Sequence, residues 1–334
     1  MLKKAMIMAA GVGSRLGALS EILPKPLAPL ANEPAMDIIL KHLKSYGIKD
    51  LIANTYYKSE IIQEHYKKDN LGVNIQFIKE VELSGTAGGM KKCQFFFDKD
   101  DDFIVMSGDG LSDINIEEAY KSHKKSNAIA TLVLKNVEVS EVSMYGIVVP
   151  DKNGFVDSFQ EKPKQEEAKS TLANTGIYIF NYRIFEFIPE NTFYDFAKNV
   201  FPSLLSSGEK INTYTLNSYW SDIGSIHQYK LSNKDVLNHK IKTISPVIIH
   251  SQNGKYCVGE NFKIDETSSI IGECIIGNNC TIGKNAKVIN SILWNNIKIE
   301  DNTVIENCII LDDTKVKTSR KDEILTKEKE YTTV

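Results

Sequence analysis

The sequence lacks most of the features that mark zinc-binding, disulfide-stabilised and membrane-spanning proteins. Its five cysteines are odd in number and contain no Cys-x-x-Cys pair, so we expect free thiols in a reducing cytoplasm. The six histidines are scattered, with no two at the spacing of metal ligands. No apolar run approaches the about 20 residues that a transmembrane helix needs. We therefore expect neither a zinc site nor a contact with the membrane.

Excess positive charge and a nucleophilic serine motif are also missing. The chain has 40 basic and 43 acidic residues and a formal net charge of -3, whereas nucleic-acid binding usually leaves a cationic surface. No Gly-x-Ser-x-Gly motif is present, which excludes the nucleophile elbow of α/β-hydrolases. Nucleic acid is thus not an expected partner. At 334 residues the chain is long enough for two domains.

The first part of the chain, residues 1–240, alternates apolar runs with amphipathic stretches. Strands are predicted at KAMIMAA, DLIANTY, VNIQFIKE and DFIVMSGD, and helices at residues 34–46, 59–66 and 116–123. Alternation of strands and helices favours parallel pairing. We predict an α/β domain with a doubly wound, Rossmann-like mixed sheet, whose ligands bind beyond the carboxyl ends of the strands.

After His239 the apolar period changes to six residues. The repeat comprises Ile264, Ile270, Ile276, Ile282 and Val288, then Ile299 and Ile305 after a slip around Trp294, with Gly272, Gly277 and Gly283 at the turns. A six-residue period is typical of hexapeptide repeats that stack into a parallel β-helix. We predict a short left-handed β-helix of about three or four coils over residues 245–314. Residues 315–334 are predicted to form a charged tail, either loosely ordered or helical.

A glycine-rich loop, MAAGVGSRLG, follows the first predicted strand. Gly11 and Gly13 fit a dinucleotide-binding fingerprint, but Leu16 occupies the position of its third glycine. No Gly-Lys-Ser/Thr closes the loop as in a P-loop. The loop instead contains Arg15, and glycines allow backbone N–H groups to approach phosphate oxygens. The pattern favours a polyphosphate site over an NAD site.

Two carboxylates are candidates for metal binding. Asp109 ends the apolar strand FIVMSGD, and Asp222 lies in the sequence YWSDIG. Mg²⁺ is held by carboxylate oxygens next to substrate phosphates, although Asp109 before Gly110 equally suits a turn. The acidic run 98–102 is interpreted as a solvated loop.

Seven motifs follow one another along the chain: AAGVGSRL (9–16, with Ser14 where threonine is usual), PKPL (24–27), SGTAG (84–88), YGIV (145–148), EKP (161–163), NTGIY (174–178) and WSDIG (220–224). Together they resemble the sugar-nucleotide pyrophosphorylases (sugar-1-phosphate nucleotidyltransferases). The mannose-1-phosphate guanylyltransferase branch is the one most resembled in its details, namely Glu80, GTAG (85–88), YDFA (194–197) with Phe201-Pro202, and WSD (220–222). The similarity covers essentially the whole catalytic half. The hexapeptide tail also occurs in several branches of this family.

The resemblance implies that a sugar 1-phosphate attacks a nucleoside triphosphate with the help of Mg²⁺. The implied catalytic residues are Arg15, Lys25, Asp109 and Asp222, the last two as metal ligands. The implied nucleotide-binding residues are Ala10, Gly11, Gly13, Ser14, Arg15, Lys25, Glu80, Gly85, Thr86 and Gly108. The implied sugar-phosphate-binding residues are Gly146, Glu161, Lys162 and Asn174. No covalent protein nucleophile is required for such a transfer.

The identity of the nucleotide depends on Glu80, which lies where relatives that use UTP or dTTP tend to place a glutamine. An ionised carboxylate only accepts hydrogen bonds, and guanine offers two adjacent donors. This favours GTP, with mannose 1-phosphate as the sugar substrate. Glucose 1-phosphate with UTP or dTTP is the runner-up within the class, and a heptose or an amino sugar is a further alternative for the sugar.

Two other classes stay open. Hexapeptide helices often belong to acyltransferases, with His250 as a conceivable base, but the helix is short and His250 stands at its start. The second is a regulatory homologue that binds without catalysis, although such a protein has no chemical need for all four candidate catalytic residues. We expect the β-helix to assemble a homo-oligomer because its stacked rungs leave faces that pack well.

Overall fold

The computed structural model describes residues 1–327 and 330–332 and divides into two compact units. The first unit consists of Met1–Val12 and Ile39–Asp222, and the second of Gly13–Ile38 together with the chain from Ile223 onward. The division differs from the predicted boundary near residue 240, because it passes through the glycine-rich loop between Val12 and Gly13. The second unit therefore contains Arg15 and Lys25 as well as the C-terminal repeats.

The strands and helices up to the start of the repeats follow the alternation that the sequence predicts. The strands are β1 (Lys4–Ala9), β2 (Pro29–Leu30), β3 (Glu33–Pro34), β4 (Asp50–Thr55), β5 (Asn74–Lys79), β6 (Asp102–Ser107), β7 (Gly110–Ser112), β8 (Ala130–Asn136), β9 (Gly146–Pro150), β10 (Val156–Glu161), β11 (Leu172–Asn181), β12 (Ile211–Leu216) and β13 (Trp220–Asp222). The helices are α1 (Ala18–Ile22), α2 (Ala35–Ser45), α3 (Ser59–Lys68), α4 (Gly85–Lys92), α5 (Ile116–Ser126), α6 (Phe201–Ser206) and α7 (Ile226–Leu237). The four predicted strands and three predicted helices are confirmed.

The first unit is built on a mixed nine-stranded sheet. β5, β4, β1 and β6 lie side by side and pair in parallel. β11 then pairs antiparallel to β6 and continues to β8 and β9, also antiparallel. The predicted Rossmann-like mixed sheet is thus confirmed. β1, β4 and β6 are mostly buried, whereas β5 is the half-buried edge of the sheet.

The second unit contains the parallel β-helix that the six-residue period predicts. Its strands are β14 (Ile249–Ser251), β15 (Gly254–Val258), β16 (Lys263–Ile264), β17 (Ser269–Ile276), β18 (Thr281–Ile282), β19 (Lys287–Ile289), β20 (Ile292–Leu293), β21 (Lys298–Ile299), β22 (Val304–Glu306), β23 (Ile309–Ile310), β24 (Lys315–Val316), β25 (Arg320–Lys321), β26 (Glu323–Leu325) and β27 (Glu330–Thr332). The parallel stacking is consistent with a left-handed β-helix. One face, formed by β16, β18, β21 and β24, has four rungs in the part of the chain described here.

The repeat positions and the slip have clear structural counterparts. All the predicted repeat positions are buried in the coil except Ile264, which is exposed. Ser269 pairs with Lys287 but Ile275 pairs with Ile292, so the coil loses one residue between β19 and β20, just before Trp294. The turns depend on asparagine more than on glycine, because Asn279, Asn285, Asn290, Asn296, Asn302 and Asn307 all have positive φ angles. Asparagine tolerates this region better than other residues with side chains.

The predicted charged tail is corrected over the described residues. β24, β25 and β26 pair in parallel with β21, β22 and β23, so the β-helix continues past Lys315 to Leu325. Charged residues are compatible with this because they alternate with apolar ones that enter the coil, such as the buried Val316 and Ile324. Residues 328, 329, 333 and 334 of the predicted tail lie outside the described residues.

The expectation of free thiols is confirmed. All five cysteines are buried and unpaired. Within residues 1–327 and 330–332, none of the helices has the length and apolarity required to cross a bilayer.

The acidic run 98–102 contains one residue that the sequence interpretation misplaced. Asp102 is buried at the start of β6 rather than solvated. Its carboxylate accepts hydrogen bonds from Lys124 Nζ at 2.9 Å and Asn181 Nδ2 at 3.0 Å, and His123 Nε2 lies 3.6 Å away. Burial opposes ionisation of Asp102, but the neighbouring His123 and the hydrogen bonds from Lys124 and Asn181 hold its pKa well below the usual range. The carboxylate stabilises the start of β6.

Replacing Asp102 with asparagine is expected to lower the free energy of unfolding by about 2 kcal/mol at pH 7, because charged donors lose a buried acceptor. Folding lowers the pKa of Asp102 below its value of about 4 in the unfolded chain. The ionised carboxylate therefore stabilises the folded protein above about pH 4, and this contribution to the free energy of unfolding decreases as the pH falls further. Urea denaturation between pH 7 and 3 measures this. Asp100→Asn, at an exposed position, is the control. An equal loss for D102N at pH 7 and pH 3 would contradict the assignment.

Candidate active site

The two predicted metal ligands are brought together by a short antiparallel ribbon in the first unit. β7 starts one residue after Asp109, and β13 ends at Asp222. In the ribbon, Asp222 is the direct partner of Gly110, so its backbone is next to that of Asp109. Directly opposed residues of antiparallel strands lie about 5 Å apart. Ser107 Oγ donates a hydrogen bond to Asp109 Oδ1, which fixes that side chain at the end of β6.

This pair of carboxylates fits the chemistry of a hard divalent cation that also binds phosphate. Mg²⁺ is commonly held by one or two carboxylates, with substrate phosphates and water as its other ligands. Across residues 1–327 and 330–332, no group of three or more His, Cys, Asp or Glu residues could hold a metal ion. A site made by Asp109 and Asp222 therefore needs oxygen ligands from a substrate.

The pairing of β11 with β8 is irregular near the ribbon that β7 and β13 form. The pairing of β11 with β8 shifts register between Asn174 and Tyr178. Asn174 Nδ2 donates to Tyr178 Oη at 3.0 Å, and burial raises the pKa of Tyr178, so its hydroxyl stays protonated. Trp220 Nε1, in β13, donates to the carbonyl of Thr175 at 3.2 Å. The bond from Trp220 therefore connects β13 to the residue that follows Asn174.

The predicted sugar-phosphate residues of β9 and β10 join the same region. Glu161 is the strand partner of Gly146, and a Cβ at Gly146 would lie 3.3 Å from Glu161 Oε2. Lys162 follows with a φ of 45° and donates its N–H to the carbonyl of Tyr145 at 3.2 Å. The left-handed region is uncommon for lysine and tends to occur at functional sites. The ring of Tyr145 meets that of Trp220 edge-on at 5.2 Å.

The predicted nucleotide-side residues of the first unit lie at the carboxyl ends of the parallel strands. Ala10 and Gly11 directly follow β1, and Gly108 directly follows β6. Gly108 donates its N–H to the carbonyl of Met8 at 2.9 Å, and a Cβ there would be 3.1 Å from that same oxygen. Glycine is therefore needed at 108 because β6 approaches β1 so closely.

Glu80, at the end of β5, is buried and saturated with hydrogen bonds from its own chain. It is 2 % exposed. Its Oε1 accepts from Asn54 Nδ2 at 2.7 Å, and its Oε2 accepts from Lys92 Nζ at 3.0 Å and from both the backbone N–H and the hydroxyl of Ser84. A carboxylate has about four acceptor positions. The predicted contact between Glu80 and a guanine would require the carboxylate to give up some of these bonds.

The hydrogen-bond network around Glu80 connects the ends of three neighbouring elements. Asn54 Oδ1 accepts the N–H of Ala9 at 3.4 Å, so the network connects the ends of β1 and β4 to the start of α4. Gly89 leaves room for it, because a Cβ there would meet Asn54 Nδ2 and lie 3.0 Å from Glu80 Oε1. Sequence analysis missed Asn54 and Lys92. The sequence contains one indication of this network, because Asn54 is a polar residue at the end of an apolar parallel strand.

The start of α4 is also fixed by a distant segment of the first unit. Thr86 Oγ1 donates to Asp195 Oδ2 at 2.9 Å and accepts the N–H of Phe196 at 2.9 Å. A Cβ at Gly85 would collide with the carbonyl of Tyr194. Gly85 and Thr86 are thus placed by the segment that precedes a π-helix at Phe196–Val200.

The remaining predicted phosphate-binding residues belong to the second unit. Ser14 and Arg15 lie in a 3₁₀ turn, Ser14–Leu16, and Lys25 begins another, Lys25–Leu27. Gly13 has a φ of 70°, and a Cβ on it would lie 3.1 Å from Lys25 Cβ. Gly13 therefore lets the glycine-rich loop pack against the stem of Lys25. This contact joins two motifs that the sequence presents separately.

Comparison with known families identifies both parts of the chain. Residues 4–239 match the family described as Nucleotidyl transferase. Residues 252–325 match a family described as GMPPB C-terminal domain. The second match includes β24 to β26, in agreement with the longer β-helix.

Several characterised proteins are similar over almost the whole chain. A UTP–glucose-1-phosphate uridylyltransferase from Synechocystis sp. is 34 % identical over 87 % of this chain and 82 % of its own length. A mannose-1-phosphate guanyltransferase from Yarrowia lipolytica is 32 % identical over 94 % and 92 %. A glucose-1-phosphate adenylyltransferase from Clostridium perfringens is 31 % identical over 93 % and 85 %.

Solved structures share the fold over 70 % of the chain. HddC from Yersinia pseudotuberculosis, in complex with GMP-PN, has a TM-score of 0.60 and 24 % identity, and the alignment covers 70 % of this chain and 99 % of that one. A putative glucose-1-phosphate thymidylyltransferase from Bacillus anthracis has a TM-score of 0.61 and 22 % identity, over 70 % and 94 %. At such identities the likeness concerns the fold alone. On the strength of the match over residues 4–239 and of the three relatives above, the chain belongs to the nucleotidyl transferase family.

Proposed function

We propose that the protein joins a sugar 1-phosphate to a nucleoside triphosphate, producing a nucleotide sugar and pyrophosphate. The observation that carries the proposal is the pairing of Asp222 with Gly110, which places the backbone of Asp222 beside that of Asp109 at the end of β6. The relatives that are similar over most of the chain are uridylyl-, guanyl- and adenylyltransferases of sugar 1-phosphates. Their shared chemistry fits this pair of carboxylates.

In this reaction an oxygen of the sugar phosphate attacks the α-phosphorus of the nucleotide. A new O–Pα bond forms, the bond between Pα and the bridging oxygen to Pβ breaks, and pyrophosphate leaves with its electron pair. The protein contributes position and charge stabilisation rather than a nucleophile. Asp109 and Asp222 would hold Mg²⁺, which when bound supplies positive charge to the phosphate oxygens.

The predicted sugar-phosphate residues of the first unit are proposed to bind the sugar phosphate and to orient its attacking oxygen. Lys162 would contact the phosphate, while Glu161, Asn174 and the backbone of Gly146 would contact sugar hydroxyls. Support comes from the hydrogen bond of Trp220 to the carbonyl of Thr175, which connects β13, the strand that ends at Asp222, to the residue next to Asn174. A displacement of about 1 Å in such a positioning group can cost a factor of about 100 in rate.

The cationic residues of the second unit are proposed to act on the triphosphate. Arg15 would neutralise the leaving pyrophosphate, and Lys25 would stabilise the transition state. Backbone N–H groups of Gly11, Gly13 and Ser14 would bind the phosphate oxygens. The packing of Gly13 against the stem of Lys25 supports a common role for the two motifs.

GTP and mannose 1-phosphate are the proposed substrates. The support is the match of residues 252–325 to the GMPPB C-terminal domain and the similarity to a mannose-1-phosphate guanyltransferase over most of both chains. This preference does not depend on Glu80, whose acceptors are used within the chain. Glucose 1-phosphate with UTP is the second candidate, favoured by the Synechocystis relative.

We also propose that the protein works in a reducing cytoplasm and assembles into a homo-oligomer. Five buried, unpaired thiols suit a reducing cytoplasm. The exposed apolar side chains of Val247, Ile249 and Ile264 at the start of the β-helix support assembly of a homo-oligomer through this domain.

Pyrophosphate release with Mg²⁺ is expected for one nucleotide and sugar phosphate in a grid of GTP, UTP, dTTP, ATP and CTP against mannose, glucose and N-acetylglucosamine 1-phosphates. GTP with mannose 1-phosphate should give the highest kcat/KM. The highest value with UTP and glucose 1-phosphate would replace the proposed substrates but keep the reaction. No release in any combination would contradict the proposed reaction for these substrates.

Asp109→Asn and Asp222→Asn are each expected to lower turnover by about 100-fold or more, because a preorganised charge is removed from the transition state at little cost in shape. Both variants should unfold at nearly the temperature of the unmodified protein. Steady-state kinetics with Mg²⁺ and thermal denaturation measure the two effects. Asp157→Asn, an exposed carboxylate of β10, is the matched control. Full activity of either ribbon variant would overturn the metal assignment.

The Glu80→Gln variant tests whether Glu80 contacts the base of the nucleotide or only holds α4 in place. The glutamine amide cannot accept all four hydrogen bonds, so α4 should shift and kcat/KM should fall for every nucleotide by a similar factor. The exposed Glu82→Gln is the control. A selective loss of GTP, with UTP unchanged or improved, would instead assign Glu80 to the base.

A further inference from the structure

The hairpin that follows Lys25 is held by the C-terminal part of the second unit. β2 and β3 form this hairpin, which starts two residues after the turn Lys25–Leu27. At its tip, the N–H of Ala31 donates to Asn233 Oδ1 of α7 at 2.9 Å, and Asn32 Nδ2 donates to the carbonyl of Ile276 of the β-helix at 2.8 Å. The hairpin tip is therefore hydrogen-bonded both to α7 and to the β-helix.

The base of the hairpin is held by a buried relay of two aromatic side chains. Trp294 Nε1, from the turn that follows β20, donates to Tyr229 Oη of α7 at 2.9 Å. Tyr229 Oη in turn donates to the carbonyl of Pro29 at 2.7 Å. Trp294 and Tyr229 are among the largest fully buried side chains of the protein. Burial raises the pKa of Tyr229, so the hydroxyl remains a donor.

The hairpin carries backbone strain that these contacts maintain. Ala31 and Asn32 have φ angles of 45° and 74°, which a two-residue turn of this kind requires at both central positions. Alanine pays a steric penalty in this region, and such conformations persist only where surrounding contacts fix them. The bond from Ala31 to Asn233 supplies one such contact.

Lys25 is connected to this clamped hairpin through consecutive backbone hydrogen bonds. The N–H of Ala28 donates to the carbonyl of Lys25 at 3.1 Å, and the carbonyl of Ala28 accepts the N–H of Ala35 at 3.1 Å. Ala28 directly precedes Pro29, the acceptor of Tyr229. The path from Trp294 to Lys25 thus contains only buried or backbone groups, and every member of it belongs to one compact unit.

We propose that Tyr229, supported by Trp294, is a positioning residue for Lys25, so that the β-helix holds part of the catalytic machinery in place. The inference rests on the proposed function only in the role of Lys25. It assigns no contact between Tyr229 and a substrate. Its consequence is that the C-terminal domain contributes to turnover and not only to assembly.

Tyr229→Phe in the full-length protein tests the proposal, because it removes the hydroxyl and keeps the ring. Turnover with the best pair of the substrate grid is expected to fall about tenfold, while KM for the nucleotide changes less than about twofold. Hydrogen–deuterium exchange should become faster in peptides that cover residues 25–35 and stay unchanged in the sheet of the first unit. Tyr120→Phe, which removes a tyrosine hydrogen bond to Asp102 in the first unit, is the matched control and should retain normal turnover.

A double-mutant cycle separates positioning of Lys25 from general loss of structure. In a Lys25→Ala background, Tyr229→Phe should cause no further loss of turnover. An equal loss in both backgrounds, or normal turnover of Y229F alone, would overturn the proposal. If Y229F does not fold, Trp294→Phe replaces it in the same cycle, with a smaller loss of turnover expected and normal turnover again overturning the proposal. Normal activity of K25A alone would instead contradict the role of Lys25 in the proposed function.

Discussion

The antiparallel ribbon of β7 and β13 is the constraint on which the candidate site depends. It brings Asp222, more than 100 residues away in sequence, next to Asp109 at the end of a buried parallel strand. Two neighbouring carboxylates repel each other, and a divalent cation shared with substrate phosphates relieves this repulsion. The other contacts of the region, from Trp220 to Thr175 and from Tyr145 to Trp220, connect the ribbon to the strands that carry the predicted sugar-phosphate residues.

Much of the fold could be predicted because local periodicity carries it. The apolar runs of β1, β4 and β6 indicate parallel strands, and the six-residue repeat predicts a β-helix, including the slip before Trp294. The extension of that β-helix to Leu325 was not evident, because charged residues at its surface positions hide the few apolar residues that enter the coil. The burial of Asp102 was missed for a similar reason, since its partners His123, Lys124 and Asn181 come from other parts of the chain.

The candidate site was predictable as a set of motifs but not as an arrangement. Sequence order gives no indication that Glu80 uses its acceptors on Asn54, Ser84 and Lys92, or that Thr86 is held by Asp195. Nor does it reveal that the segment with Arg15 and Lys25 forms one compact unit with the β-helix. These features arise from long-range contacts of single polar groups, which leave no periodic trace. The C-terminal domain also contributes Trp294, which donates to Tyr229, and Tyr229 in turn binds the hairpin that follows Lys25.

The central claim is that Asp109 and Asp222 together bind a divalent cation in the presence of nucleotide. Electron paramagnetic resonance with Mn²⁺ in place of Mg²⁺ tests it most directly, because free and bound Mn²⁺ are counted without relying on turnover. In the presence of GTP, the unmodified protein should bind more Mn²⁺ than GTP alone does, and D109N and D222N should each lose most of this additional binding. Equal Mn²⁺ binding by the unmodified protein and both variants would contradict the account.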